Sequence, residues 1–424
     1  MSPEPQFPKT LARVLASVLL PFALAHFISY LYRSVNTVVY PDLVRDIGLT
    51  ANTLGLMAGV YFIAFAAAQL PVGMALDRYG PRKVQVPMLA VAALGGALFA
   101  QAQSFEGLLL ARALIGLGVS ASLMAAIKAS SLWLPPERLP LATAVLLAVG
   151  GLGAMVSTAP LQAALDAVGW RHALWGIAVG AAGVSLLIFS AVPEHAARAP
   201  SVGVRAMGQS IGQLYGSPLF WRMALCTLFS NATYMAVQGL WIGPWLRDVG
   251  HLSRPDVAGV LFWGTAAMVA GSLGFGWVTD RLGRHRVRPI TVCGLGMSVF
   301  LLFQALMLLG TDLPPWVLAV GFSFFGTASA MNYAILAQSM PVHLTGRVST
   351  CFNLLVFVAA FGLQWGLGAV LNAWTPIDGQ YPEVAYRTAL GVSLALQLPG
   401  LVLWLGFKPW QRRDPRHPLA TGTP

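Results

Sequence analysis

Along residues 14–40, a stretch otherwise apolar, His26, Tyr30, Arg33, Thr37 and Tyr40 recur at three- and four-residue spacing, with Ser29 and Asn36 beside them. On a helix that spacing places them on one face. A guanidinium, phenolic hydroxyls and an amide along one stripe can hold and orient an anionic solute, because arginine pairs with carboxylate or phosphate through two parallel hydrogen bonds. His26 adds a group able to take up and release a proton; the other reading is a polar residue satisfied within the helix packing. Asn231, Tyr234, Gln238, Trp241 and Trp245 repeat the spacing in a later stretch, and aromatic and amide groups in that pattern suit an organic solute. Trp245 fits an aromatic belt at the membrane surface equally well.

Charge inside an apolar stretch costs several kcal/mol unless it is solvated or paired. With a helix ending near residue 40, Arg33 sits roughly 10 Å inside the outer end. Lining of a water-filled cavity, snorkelling to the headgroups and a structural hydrogen bond are its three readings. Arg112 reads either as a solute contact or as an interhelical hydrogen bond to backbone carbonyls. Lys128 and Arg222 lie near inner ends and reach the interface. Every acidic residue, from Glu4 to Asp414, falls in a tail, a loop or a helix end, so the apolar interior carries cations alone.

The elements that hold these residues follow from composition. Of 424 residues, 57% are hydrophobic and 10% charged, against about 25% charged in a soluble domain. Twelve stretches are long and apolar enough to cross a bilayer core, which needs about 20 residues per helix. They fall near 14–40, 52–76, 85–101, 105–133, 140–165, 171–192, 218–245, 254–279, 288–309, 314–340, 346–373 and 385–407, taken below as helices 1 to 12. Their continuous apolar runs exclude a barrel, whose strands alternate. The first stretch is too long for a cleaved signal and stays as helix 1. Cys226, Cys293 and Cys351 fall singly inside spans and read as small core residues. No metal-ligand spacing, cofactor motif or catalytic constellation is present, so the reading is a non-enzyme without metal or cofactor.

The net charge of +11 would suggest nucleic acid in a soluble chain, but its distribution argues otherwise. With the N-terminus inside, 17 of the 26 Lys and Arg face the cytoplasm, among them Arg78, Arg82, Lys83, Arg281, Arg284 and Arg286, against Arg45, Arg171, Arg247, Arg254 and Arg387 outside. That excess is the positive-inside signal, with both termini cytoplasmic and the lipid bilayer as partner.

A fixed offset of 203 residues aligns Pro41 with Pro244, Leu43 with Leu246, Thr50 with Ser253, Gly73 with Gly276, Asp77 with Asp280, Arg78 with Arg281 and Gly80 with Gly283. Matches at Pro, Gly, Asp and Arg exceed what two apolar helices share by composition, so the halves read as a duplication. Domains are therefore expected at 1–192 and 218–407, joined by a polar cytoplasmic linker at 193–217 and followed by a tail at 408–424. Thr50 and Ser253 read as helix N-caps.

The run Gly73-Met-Ala-Leu-Asp77-Arg78-Tyr-Gly80-Pro-Arg82-Lys83 resembles the signature loop between helices 2 and 3 of the major facilitator superfamily. Gly276-Trp-Val-Thr-Asp280-Arg281-Leu-Gly283-Arg284 is similar to its second copy. Arg112-Ala-Leu-Ile-Gly116-Leu-Gly118 and Gly169-Trp170-Arg171 resemble further motifs of that superfamily. The resemblance implies an all-α integral membrane fold, twelve transmembrane helices in two pseudo-symmetric six-helix bundles, and alternating access by a functional monomer in a bacterial inner membrane. It also implies a gating clasp of Gly73, Asp77, Arg78, Arg82, Gly276, Asp280, Arg281 and Arg284, the glycines permitting close helix approach and Asp77 meeting the start of helix 11.

Tyr32-Arg33-Ser-Val-Asn36 resembles helix 1 of the organic anion:cation symporter branch, with Tyr32 where that branch has Asp; Val119 stands where it often has Glu. The Arg33 match implies an anionic solute, and the two missing carboxylates remove the usual proton sites. The glycines Gly150 to Gly153 and Pro160 lack the arrangement of drug-proton antiporters, and helices 2 and 8 lack the interior arginines of nitrate porters. The expected function is secondary active transport of a small organic anion, coupled to an ion or proton. Tyr30, Arg33, Asn36, Arg112, Tyr234, Gln238 and Trp241 are the expected solute contacts and His26 the coupling candidate. Efflux of neutral or cationic amphipathic solutes is the alternative.

Overall fold

A computed structural model describes residues 14–194, 204–340 and 344–407; the tail expected from 408 lies outside the described residues. All twelve expected spans are helical. Helix 1 runs as a π-helical turn Leu15–Leu19, then Leu20–Ser34 and Asn36–Ile47; helices 2, 3 and 4 are Ala51–Tyr79, Pro81–Gln101 and Phe105–Trp133. Helix 5 begins as Leu139–Val156 and continues into the run Ala159–Ala191, which Gly169 divides at φ 78°, a left-handed conformation that glycine adopts without strain. Residues 170–191 form helix 6. In the second half, helix 7 comprises Pro218–Ala236, a π turn Val237–Trp241 and Ile242–Asp248. Helices 8, 9, 11 and 12 are Arg254–Gly283, Pro289–Leu309, Thr345–Leu371 and Glu383–Leu405. Helix 10 is interrupted by a 3-10 turn at Thr327–Met331 between Pro315–Gly326 and Asn332–Gln338. Ten of these elements are long and apolar enough to span a membrane unaided; the breaks in helices 5 and 7 divide the rest.

The chain packs as two compact units, Met1–Ile47 with Val60–Val202 and Gly48–Gly59 with Gly203–Pro424. The opening turns of helix 2 thus count with the second unit, where the Tyr381 hydroxyl accepts from the Ala51 N–H (3.1 Å) and Trp365 Nε1 donates to Asn52 Oδ1 (2.7 Å). The linker corrects the sequence reading. Val204–Tyr215 is a helix whose Ile211, Leu214 and Tyr215 pack on Phe220, Leu336, Val348 and Phe352. Polar residues and glycines between those residues hide the apolar face, and tertiary packing overrides the low helix propensity of Gly208 and Gly212.

Both N-cap expectations hold in geometry: the Ser253 hydroxyl accepts from the Asp256 N–H and the Thr50 hydroxyl from the Thr53 N–H.

Each unit ties its first helix to its last through a carboxylate. At the end of helix 1, Asp46 accepts from Trp170 Nε1 (2.8 Å) and Arg45 Nε (2.8 Å). Arg171 stacks on the Trp170 ring and donates to the carbonyl of Ala102 (2.8 Å). The Gly169-Trp170-Arg171 run is therefore a corner that pins helix 6 to the ends of helices 1 and 3. At the end of helix 7, Asp248 takes the corresponding bond from the Tyr386 hydroxyl of helix 12 (2.7 Å).

Hydrogen bonds from Arg45 and Trp170 hold the Asp46 carboxyl below the usual carboxylate range. A depressed value means that this stabilisation is complete above the unfolded carboxylate range and is lost as pH falls through the folded value. Trp170→Phe is expected to destabilise by about 1 kcal/mol, one ordinary hydrogen bond, and to weaken the acid-dependent part of unfolding. Thermal unfolding at neutral and acid pH checks both.

Candidate functional site

In the first unit, helix 1 presents a column of side chains. The Arg33 guanidinium carbon lies 4.8 Å from the Tyr30 ring centroid and 5.5 Å from that of Phe65 on helix 2. On the other side of Tyr30, the His26 ring meets it edge-on at 5.1 Å and 79°. His26 is 2% exposed, and neither ring nitrogen has a hydrogen-bond partner among the described residues. Asn36, 1% exposed, likewise has neither amide atom bonded. Tyr30 and Arg33 are half-buried and so present the open surface of the column.

Helix 5 gives His26 its seat. A methyl group built at Gly150 would lie 2.7 Å from His26 Nε2 and 3.1 Å from the Tyr30 ring, so the side-chain-free position is what lets the imidazole stand there. Gly150→Ala is expected to displace the ring and to weaken ligand binding severalfold while the protein still folds, since the clash falls on side-chain atoms. Equilibrium binding beside a melting curve checks it.

Because helix 1 continues to Ile47, Arg33 stands fourteen residues from its outer end, about 21 Å at the helical rise. The helix itself runs past the expected end near residue 40. An arginine so placed is accommodated by aromatic faces and by water reaching its exposed side.

Arg112 takes the structural one of its two readings. It is 1% exposed, donates to the Tyr32 carbonyl (2.9 Å) and lies 4.9 Å from the Tyr61 ring. It braces helix 4 against helices 1 and 2 behind the column. Tyr61 and Phe65 were missed from sequence. Their four-residue spacing with Phe62 between them was the available signal, but aromatic residues in apolar helices are mostly packing.

In the second unit, Tyr234 packs beside Phe300 and Phe322 at 6.2 and 6.0 Å, and Gln238 accepts from the Ser323 hydroxyl (2.9 Å). Both are half-buried. Trp241 is 5% exposed and donates to the Gln364 carbonyl (3.0 Å), which makes it a strut to helix 11. Trp245 is also 5% exposed, in the core and not in a belt. Asn231 donates across to the Ser329 carbonyl (3.1 Å), joining the segment Pro218–Ala236 of helix 7, which leads into its π turn, to the 3-10 turn of helix 10. Such irregular turns concentrate where helices bend for function.

The loop motif differs from expectation in detail. Asp77 and Arg78 lie in the last turn of helix 2, and Asp77 pairs with Lys128 of helix 4 at 2.8 Å. Lys128 thus has an intramolecular partner, and Asp77 is engaged within its own unit. Arg78 stacks on Tyr79, Arg82 caps the Phe189 carbonyl, and Lys83 pairs with Glu194. In the second copy Asp280 and Arg284 form an exposed pair at 3.6 Å, with Arg281 exposed beside them. Among the described residues nothing lies within 4 Å of where a Cβ would stand at Gly73 or Gly276. Arg222 donates to the Gly406 carbonyl and covers the Phe407 ring. No group of His, Cys, Asp and Glu suited to a metal occurs among the described residues.

Twelve spans in two units, each lined by half-buried polar groups in an otherwise apolar interior, define an integral membrane carrier. The sequence model of the Major Facilitator Superfamily matches residues 22–363, and the chain belongs to that family. A probable sulfoacetate transporter of Cupriavidus necator is 25% identical over 341 residues, 76% of this chain and 79% of its own. A chloramphenicol resistance protein of Streptomyces lividans is 26% identical over 300 residues, 70% of this chain and 72% of its own. The solved structure of a bacterial homologue of the human lysosomal transporter Spinster, inward-facing and unoccupied, shares the fold. Its TM-score is 0.79 at 16% identity, over 96% of this chain and 100% of that one. The protein is a transporter and not an enzyme.

Proposed function

We propose that this transporter carries a small organic anion and that Arg33 neutralises its charge. The observation that supports this most is the half-buried Arg33 guanidinium, held between Tyr30 and Phe65 deep in helix 1. A cation fixed there attracts an anion strongly, because the low-dielectric surroundings screen it little. Asn36, one turn away with both amide atoms unbonded among the described residues, supplies neutral donor and acceptor groups for the rest of the solute. Tyr234 and Gln238 suit an organic body. Sulfoacetate, named for one relative, is an anion of the class that these groups would accept.

The chloramphenicol relative favours a second reading, export of a neutral amphipathic solute on the aromatic surface of helix 7. A thermal-shift screen of the purified protein separates them, because a ligand stabilises the state it binds. Carboxylates, sulfonates, sugar acids and phosphates are set against amines and neutral drugs. Stabilisation by one anion class supports the first reading; stabilisation by neutral or cationic drugs alone overturns it. Alternating access would be driven by a coupled ion, with both chain termini in the cytoplasm.

A further inference from the structure

We infer that a groove on the first unit, between the beginning of helix 1 and helix 5, holds one phospholipid, its phosphate on Arg138 and an acyl chain running inward toward the seat of His26. The inference stands apart from the anion reading above and uses none of the solute contacts.

The groove has a volume of about 680 Å³ and is walled by Leu15, Leu19 and Ala23 of helix 1 and by Leu141, Val145 and Val149 of helix 5. The π-helical turn Leu15–Leu19 forms part of the helix 1 wall. Leu141 is 68% exposed and Val145 50% exposed. Aliphatic surface that open is stable against hydrocarbon and costly against water. The lining is aliphatic throughout except for Arg138, at the mouth. A polar solute would find one partner there and hydrocarbon elsewhere, whereas an amphiphile with an anionic head is matched at both ends.

Arg138 stands in the 3-10 turn Pro136–Arg138, immediately before helix 5 begins at Leu139. Its side chain is exposed, and neither it nor the neighbouring Glu137 has an ion pair among the described residues. A guanidinium at a membrane surface pairs with phosphate through two parallel hydrogen bonds. The depth agrees with the charge. From Leu139 to Val149 helix 5 advances ten residues, about 15 Å at the helical rise. One leaflet supplies half of a hydrocarbon core about 30 Å thick, so a chain whose phosphate lies at Arg138 ends at the deep end of the groove. There Val149 precedes Gly150, whose bare Cα faces the His26 ring, and Ala23 lies one turn before His26. The lipid thereby braces the wall on which the His26 and Tyr30 rings rest. Bulk lipid tails are as apolar as the groove, so the preference for this place comes from the fit of the chain and from the phosphate pair.

The test uses the full-length protein in detergent, stripped of lipid and titrated with dioleoylphosphatidylglycerol. Native mass spectrometry counts the lipids bound, and melting curves report the fold. One lipid is expected to bind ahead of all others and to raise the melting temperature. The matching diacylglycerol, which lacks the phosphate, is expected to bind about fivefold more weakly, the effect of one basic residue at a membrane surface. Arg138→Gln should lose that difference. Ala16→Trp and Val145→Trp each place an indole in the groove from an exposed position, and each should remove the tight lipid from a folded protein. Val179→Trp, exposed on helix 6, should keep it. Binding without a preferred first lipid overturns the inference, and so does a first lipid that survives both groove-filling variants. Equal affinity for the two lipids in the wild type, or a difference that persists in Arg138→Gln, overturns it by removing the phosphate from Arg138. A groove-filling variant that changes the number of chains per particle assigns the groove to a second copy and overturns it too. Displacement of the tight lipid by a stabilising anion assigns the groove to the solute, with the same consequence.

Discussion

Arg33→Gln is expected to abolish anion-dependent stabilisation and to reduce anion uptake into proteoliposomes by about a hundredfold or more. Removing one partner of a desolvated, hydrogen-bonded charge pair costs about 2–5 kcal/mol, and each 1.4 kcal/mol is tenfold in affinity. Arg33→Lys keeps the charge but loses the planar fork and the stacking on Tyr30 and Phe65, so it should fall between, about tenfold down. The fold should tolerate both changes. A cation–π contact contributes about 0.5–2 kcal/mol, and removing a charge from an apolar span relieves part of its desolvation cost. Radiolabelled anion uptake beside melting curves separates loss of binding from loss of fold. Unchanged anion affinity in a folded Arg33→Gln protein would sink the proposed role.

The spans were legible because the bilayer imposes a length and a composition, and the second half repeats the first at fixed offset. The polar stripe of helix 1 was legible for the same reason: few residue types belong in that setting. What was misread depended on partners distant in sequence. Pro41, Asp42, Arg45 and Asp46 look like loop residues, yet Arg45 lies 3.1 Å from Asp42 and 2.8 Å from Asp46, so the charges satisfy one another while the helix continues. Lys128 and Asp77 are 51 residues apart, and only the packing of helix 2 against helix 4 joins them. Arg112, Trp241 and Trp245 have the chemistry of solute contacts and are buried among neighbouring helices. Type and spacing place residues on one face of a helix, but accessibility is a property of its neighbours.

Asp248→Ala is expected to be the most destabilising of these substitutions. Its carboxylate side chain is 0% exposed and sits beside Arg247 Nε at 2.5 Å. It accepts from the Tyr386 hydroxyl at 2.7 Å and from the Tyr381 N–H at 3.1 Å. Removing it takes away an acceptor from the buried Tyr386 hydroxyl, from the Tyr381 N–H and from the partly exposed Arg247 guanidinium. Breaking a buried pair in this way costs about 3–5 kcal/mol. Asp248→Asn keeps the volume and one acceptor oxygen and loses the charge, so about half that cost is expected. Asp46, in the matching place of the first unit, is 30% exposed, and water can replace the lost partner. Asp46→Ala should therefore cost about 1 kcal/mol. Unfolding in detergent with increasing denaturant gives the order: Asp248→Ala worst, then Asp248→Asn, then Asp46→Ala. Equal losses at the two aspartates would show that burial does not set the difference. The contrast also bears on transport, because Asp248 fixes the outer end of the helix whose π turn carries Gln238. Loosening that end should weaken solute binding through the second unit even where Arg33 and His26 are intact.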